Sequence, residues 1–335
     1  MLENKTEAKS WSPKKIADTI NRRLERIFSL LISLGIVLGV TLPWVFVNLR
    51  PFVPLMFGTV TLVGALKLRF RELGKTFASP LPILLYIVIA RIFLPLVVFA
   101  LATFFLKNPD VVSGYVLLYA VPTAVTGFIW VTVYKGDAAL GLTLILLDTI
   151  FAPLTVPATV RFFVGTGINI DMTGMIISLT LMIVIPTIAG VGINEASRGK
   201  IPALLTPYFA PFSKFLMIFV VASNASAVAP LLRFNNPIVW KVLAASLGLI
   251  ILSFIGARIA ANAGKFNKEK QVAFLFAASL RNSASAMTLA IRYFPEIAAL
   301  PAVLGIMLQH STAAVMGRIF FGKIGGGEEK SQKAV

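Results

Sequence analysis

The sequence predicts an all-α polytopic membrane protein of about ten transmembrane helices, built as two inverted five-helix repeats with broken fourth and ninth helices. Three observations predict it. The 335 residues are 57% hydrophobic and 13% charged, with a mean hydropathy of +0.87, more apolar than a soluble domain of this length requires. The apolar residues fall into segments of roughly 20, long enough for spanning helices and without the alternation of outer-membrane strands. The fourth and ninth segments each carry a polar interruption near the middle.

In order, the segments run over 28–47, 52–68, 80–106, 112–133, 138–164, 172–193, 207–232, 238–260, 272–293 and 298–320, each bounded by Pro, Gly or charge. The connections are too short for a soluble domain. Before the first segment lie Lys5, Lys9, Lys14, Lys15, Arg22, Arg23 and Arg26, and between the second and third lie Lys67, Arg69, Arg71 and Lys75. Arg198 and Lys200 follow the sixth, and Arg258, Lys265, Lys268 and Lys270 surround the gap after the eighth. The alternate connections carry only Arg50, Lys107, Arg161, Arg233 and Arg292. The positive-inside rule therefore places both termini in the cytoplasm of a multi-pass protein of the cytoplasmic membrane.

Residues 1–27 read as a basic, amphipathic, cytoplasmic segment and not as a cleaved signal. Ser12-Pro13 is an N-cap followed by a first-turn proline, and Ile16, Ile20, Leu24 and Ile27 then share one face, as in an interfacial helix. The transporter-like body is 28–320, and 321–335 reads as a disordered cytoplasmic tail.

The net charge of +17 does not indicate nucleic acid, because the basic residues sit in short runs between spans and not on one soluble face. With no cysteine, disulfides, thiolate metal sites and cysteine nucleophiles are excluded. No aspartate-rich pair is present to hold magnesium at a diphosphate, which argues against a membrane transferase. No filter-like sequence suggests a channel.

Two stretches look alike. The fourth segment leads into "YKGDAALGLTLILLDTIFAPL" and the ninth into "YFPEIAALPAVLGIMLQHSTAAV". Each joins two spans through a turn with an acidic residue and an Ala-Ala-Leu start. Five spans per half, 28–164 and 172–320, place the second copy upside down relative to the first, as in many secondary transporters.

The polar interruptions supply the candidate site. In the fourth segment Pro122 removes a backbone donor and disfavours helix at Val121, with Thr123, Thr126, Gly127 and Thr132 following. In the ninth, Ala277-Ala278-Ser279-Leu280-Arg281-Asn282-Ser283 is the counterpart. Broken helix at membrane depth is tolerated only where it is buried in protein or lines a cavity. Ionisable residues in the spans are Arg91, Asp148, Lys214, Arg281 and His310. A charge at the midplane costs at least about 2.5–3.5 kcal/mol and normally has a partner. Lys214 is placed to snorkel, and His310 beside Gln309 reads as a packing residue. For Arg281 two readings stand: an ion pair with Asp148, or a guanidinium fork presented to a carboxylate or sulfonate. Ser223 and Asn224 in the seventh segment supply hydrogen bonds either to a ligand or to the ninth helix.

This pattern, with "FVPLMFGTVTL" in the second segment and "RNSASAM" in the ninth, resembles the bile acid:sodium symporter superfamily, which includes arsenite exporters and more distant anion carriers. The resemblance implies a panel domain and a core domain, with the fourth and ninth helices crossing in the core. It also exposes departures. Sodium-coupled members have Ser-Asn after the helix-four proline, where this chain has Gly127 and Phe128. Their Glu-x-x-x-Gln-Asn in helix nine appears here as Ala277 to Asn282, so the sodium carboxylate is Ala277 and the sodium-ligating glutamine is Arg281. Arginine has no oxygen to give a cation, and without cysteine the arsenite branch does not fit.

The expected function is secondary transport of a small organic anion by alternating access, with no cofactor and no metal site. Substrate contacts are expected from Arg281, Asn282, Ser283, Thr123, Thr126, Thr132, Ser223 and Asn224, and an ion pair or coupling role from Asp148 and Arg91. Coupling is expected to be sodium-independent or to run on protons, with sodium symport through a rebuilt site as the alternative.

Overall fold

The computed structural model describes residues 13–69, 80–165, 170–232 and 235–322. Among these residues every regular element is helical, and the only β-pairing is one isolated bridge. The helices are α1 (Pro13–Arg26), α2 (Phe28–Thr41), α3 (Pro43–Ala65), α4 (Leu81–Leu106), α5 (Pro109–Ala120), α6 (Phe128–Val133), α7 (Ala138–Val164), α8 (Met172–Ala196), α9 (Lys200–Val228), α10 (Pro237–Ala263), α11 (Lys268–Ser279), α12 (Ser283–Tyr293) and α13 (Glu296–Phe321). The expected cap at Ser12 and the expected tail beyond Gly322 lie outside the described residues.

Among the described residues seven helices, α3, α4, α7, α8, α9, α10 and α13, are long and apolar enough to cross a membrane. The number is below ten because the other apolar stretches are short or interrupted. α2 stops ahead of Pro43, and the fourth and ninth segments each divide into two helices, α5 with α6 and α11 with α12. α9 starts at Lys200 and not near 207, because Pro207 and Pro211 lie inside it without ending it.

The outer surface is apolar. Leu55, Phe104, Phe162, Leu204 and Ile319 each expose well over half their area, as expected of side chains that meet lipid and not water. On α1, Ile16 and Ile20 are exposed, as is Ile27 just beyond it, and the helix packs against α9. α2, α3, α8 and α9 pack mutually, while α4, α5, α7, α10, α11, α12 and α13 surround the two helix interruptions.

Small residues set the closest approaches, as in membrane helix pairs generally. A Cβ added to Gly39 of α2 would stand 2.2 Å from the carbonyl oxygen of Ala222 in α9, and one on Gly114 of α5 would stand 2.0 Å from that of Ala298 in α13. Polar ties are few but buried: Tyr115 OH donates to the Val242 carbonyl at 2.7 Å, fixing α5 to α10.

The α2–α9 contact is testable. Gly39→Val should lower the thermal unfolding midpoint of the detergent-purified protein by an overpacking cost of about 1–3 kcal/mol or more. Gly248→Ala, with no atom within 4 Å of the new Cβ, should leave it unchanged or raise it.

Candidate functional site

Two interrupted helices meet in the buried interior. α5 ends where Val121 turns extended (φ −60°, ψ 155°), because Pro122 cannot donate and disfavours helix before it. A 3-10 turn, Val125–Gly127, then leads into α6. α11 ends at the extended Leu280 (φ −98°, ψ 116°). α12 restarts with Asn282 as its N-cap, whose side-chain oxygen accepts from Ser285 N at 3.1 Å.

The two extended stretches pair antiparallel, Thr123 opposite Arg281. Ala124 N donates to Leu280 O at 3.2 Å, and Asn282 N to Pro122 O at 2.9 Å. Those amides would otherwise have served the helix carbonyls four residues back, Ala120 and Ala278. Side chains take their place. Arg91 Nη1 donates to Ala120 O, and Arg281 Nη2 to Ala278 O at 3.3 Å. Thr123 Oγ1 donates to Ala277 O at 2.7 Å. Its proton thus committed, Thr123 accepts from Tyr86 OH at 2.6 Å.

Arg281 has a second anchor for an equally local reason. α4 contains a π-helical turn, Val88–Phe93, in which Leu94 N donates to Ile89 O and bypasses Ala90 O. The next residue, Pro95, has no N–H. Ala90 O is left over, and Arg281 Nη2 donates to it at 2.9 Å.

Asp148 of α7 accepts at Oδ1 from Arg91 Nε at 2.6 Å and from Arg91 Nη2. Its Oδ2 accepts from Thr123 N at 2.7 Å. Arg91 is therefore the arginine that meets Asp148, and no ion pair joins Asp148 to Arg281. Arg281 is 2% exposed, bonds only to neutral carbonyls, and keeps Nε and Nη1 without a hydrogen-bond partner. Ser279, Ser285 and Ser223 also bury hydroxyls without partners.

A cavity of about 220 Å³ reaches the crossing. Pro122, Thr123, Thr126, Arg281, Asn282 and Ser283 form one side of it, with Phe57 and Thr61 of α3, Met217 of α9, and Gln309 and His310 of α13 around them. Lys67 and Lys214 also line it, and Lys214 Nζ donates to Asn21 of α1. Among the described residues no carboxylate lines this cavity.

Of the residues singled out in the sequence, Thr123, Thr126, Arg281, Asn282 and Ser283 come together on the cavity. Asp148 and Arg91 are off it but bonded to the crossing. Three lie elsewhere. Thr132 is exposed and bonds the carbonyl of Phe128 in its own helix at 3.2 Å. Ser223 and Asn224 are buried, and Asn224 Nδ2 donates to Thr288 Oγ1 of α12 at 2.7 Å. Tyr86, Gln309 and His310 were not expected at the site. Gln309 Oε1 accepts from Ser283 Oγ at 3.3 Å, and His310 Nδ1 from Trp130 at 3.4 Å. Tyr86 carries a sequence signal in hindsight, one helical turn and a residue ahead of Arg91 on a span that Pro95 distorts.

Residues 54–233, more than half of the chain, match the Sodium Bile acid symporter family. The chain belongs to that family. An uncharacterized protein of Bacillus subtilis (strain 168), YbaS, is 32% identical over 292 residues, covering 86% of this chain and 94% of that protein. A protein of the same organism named as a sodium-dependent transporter, YocS, is 19% identical over 279 residues, 83% of this chain and 85% of its own. The probable sodium/metabolite cotransporter BASS1 of Arabidopsis thaliana is 21% identical over 214 residues, 62% of this chain and 53% of its own. As a member of the family the protein is a multi-pass membrane transporter and not an enzyme.

The Arg91–Asp148 pair holds the α5–α6 interruption, at Ala120 O and Thr123 N. Arg91→Gln or Asp148→Asn alone should each destabilise the protein by about 3–5 kcal/mol, since either leaves an uncompensated buried charge. The double variant should lose clearly less than the sum, a coupling that thermal or denaturant unfolding measures through a double-mutant cycle.

Proposed function

We propose that the protein is a secondary carrier that moves a small organic anion across the cytoplasmic membrane by alternating access. One observation carries the reading: Arg281 is a buried cation without a carboxylate partner, beside a cavity, where two interrupted helices cross. In this reading ten spans form two inverted halves, 28–164 and 172–320. The α5–α6 and α11–α12 stretches are their counterpart broken helices, and both termini are cytoplasmic. The anionic head group lies at the N-terminal end of α12, where the helix dipole favours negative charge. Thr126, Asn282 and Ser283 offer it hydrogen bonds, Thr123 borders it with its hydroxyl proton committed to Ala277 O, and Arg281 supplies the charge. Thr132, Ser223 and Asn224, which lie off the cavity, take no part in binding.

The coupling ion follows from the same residues. Where the family pattern has a carboxylate and a glutamine for sodium, this chain has Ala277 and Arg281. A guanidinium that donates to the Ala90 and Ala278 carbonyls occupies acceptors that a cation would need. Sodium is therefore not required. Proton coupling through Asp148 would require displacing Arg91 from it. The second reading, sodium symport through a rebuilt ion site, is favoured by the names of YocS and BASS1.

Thermal-shift measurements on the purified protein with pyruvate, succinate and taurocholate test the reading. A bound anion at a hundred times its Kd adds about 2.7 kcal/mol of stability. That gain should be the same in sodium, potassium and choline chloride. A selective, saturable sodium requirement would favour the second reading, and the absence of any binder or counterflow would remove the carrier. Arg281→Lys should weaken binding partly. Arg281→Gln should cost about 2–5 kcal/mol of affinity, tenfold or more.

Topology is tested separately. Reporters after Lys107, within 162–173 and after Asn235 should read as external, and those after Arg71, Gly199 and Asn267 as cytoplasmic. A cytoplasmic signal within 162–173 would break the five-plus-five arrangement.

A further inference from the structure

We infer that this carrier is an obligate anion exchanger, which moves one anion inward for each anion outward and does not return empty. The inference rests on the anion-carrier reading above and assigns it a mode of transport which that reading leaves open.

The argument starts from the charge at the crossing. Three ionised side chains meet there: Arg91, Asp148 and Arg281. Arg91 and Asp148 neutralise one another. Four helix ends also converge, the C-terminal ends of α5 and α11 and the N-terminal ends of α6 and α12, and their partial charges cancel in pairs. Arg281 then leaves one positive charge over. Its bonds go to two uncharged carbonyls, and Nε and Nη1 have no partner. Among the described residues no carboxylate lines the cavity.

In the structure described here Arg281 lines the cavity although its unbonded guanidinium nitrogens are buried, so water and counter-ions that enter the cavity lie beside that charge and lower its cost without touching it. Alternating access must pass through a state in which the cavity is closed on both sides. An empty closed site would hold a net charge in a water-free interior, which is strongly unfavourable. A bound monovalent anion makes the same site neutral. The loaded protein therefore crosses the barrier more easily than the empty one. A diffusible cation could leave with its substrate and reset the site, whereas a guanidinium tethered to the backbone cannot. The cost of a lone midplane charge corresponds to a rate difference on the order of a hundredfold.

The full-length protein in liposomes tests this. Vesicles are loaded with labelled pyruvate or taurocholate, both monovalent anions, with equal potassium and valinomycin holding the potential at zero. Efflux into buffer containing the same unlabelled anion should exceed efflux into anion-free buffer by on the order of a hundredfold, after subtraction of the leak from protein-free vesicles. Equal rates would overturn the exchanger and leave the carrier intact. No protein-dependent flux in either format would overturn both. In Arg281→Gln the ratio of exchange to net efflux should fall towards one, even where affinity is reduced; an unchanged ratio would show that Arg281 is not the cause. Arg281→Lys, which keeps the charge, should keep the ratio high. The wild-type ratio decides the question even if the glutamine variant does not fold.

Discussion

A helix that stops inside a membrane protein releases backbone donors and acceptors where no water can take them. The arrangement at the crossing follows from that constraint. Pro122 ends α5, and the released groups of 122–124 find partners only because α11 ends beside them at Leu280. Each interruption satisfies the other. Neither could exist alone without orphaned amides, so the two extended stretches form a single structural unit although some 150 residues separate them in the chain. Once Ala124 N and Asn282 N are committed across the unit, the carbonyls of Ala120 and Ala278 need donors from side chains.

The charges are a consequence of those carbonyls. Arginine suits the C-terminal end of a helix, where the dipole is negative and carbonyls are unpaired. Its planar fork also reaches acceptors on two elements at once, which a lysine ammonium does less well. Arg91 ties Ala120 to Asp148, and Arg281 ties Ala278 to Ala90. Two guanidinium groups so close repel one another. Asp148 offsets one of them and receives Thr123 N as well, so a single carboxylate links α4, α7 and the crossing. The π turn in α4 belongs to the same scheme: it strands the Ala90 carbonyl that Arg281 needs.

Much of this was legible in the sequence. Composition and segment length gave the helical membrane class, and Pro122 and the run from Ala277 to Ser283 marked the two interruptions. Arg91 and Asp148 stood out as intramembrane charges. An ion-pair role was expected of both and they do pair, but Arg281 remained a second possible partner for Asp148, and the choice depends on a π turn that no residue pattern announces. Ser223 and Asn224 illustrate the opposite failure. Hydroxyl and amide groups look alike whether they meet a ligand or a neighbouring helix, and here the amide meets Thr288. The early start of α9 was missed because Pro207 and Pro211 look like boundaries until the packing of α9 on α2 and α3 is known.

The tethered cation also bears on energetics. A sodium ion that binds beside a substrate brings with it the free energy of its own gradient, and it can be released on the far side. Arg281 can hold an anion at the crossing as a bound ion would, but it carries no gradient because it never leaves. Replacing a diffusible cation with a side chain therefore keeps the electrostatics of binding and gives up the driving force. Under the exchanger reading, the energy for uphill movement of one anion has to come from the downhill movement of another. On that reading the arginine that makes the empty protein slow to reorient is also what ties the two fluxes together, so loss of ion coupling and gain of exchange would be one physical event at position 281.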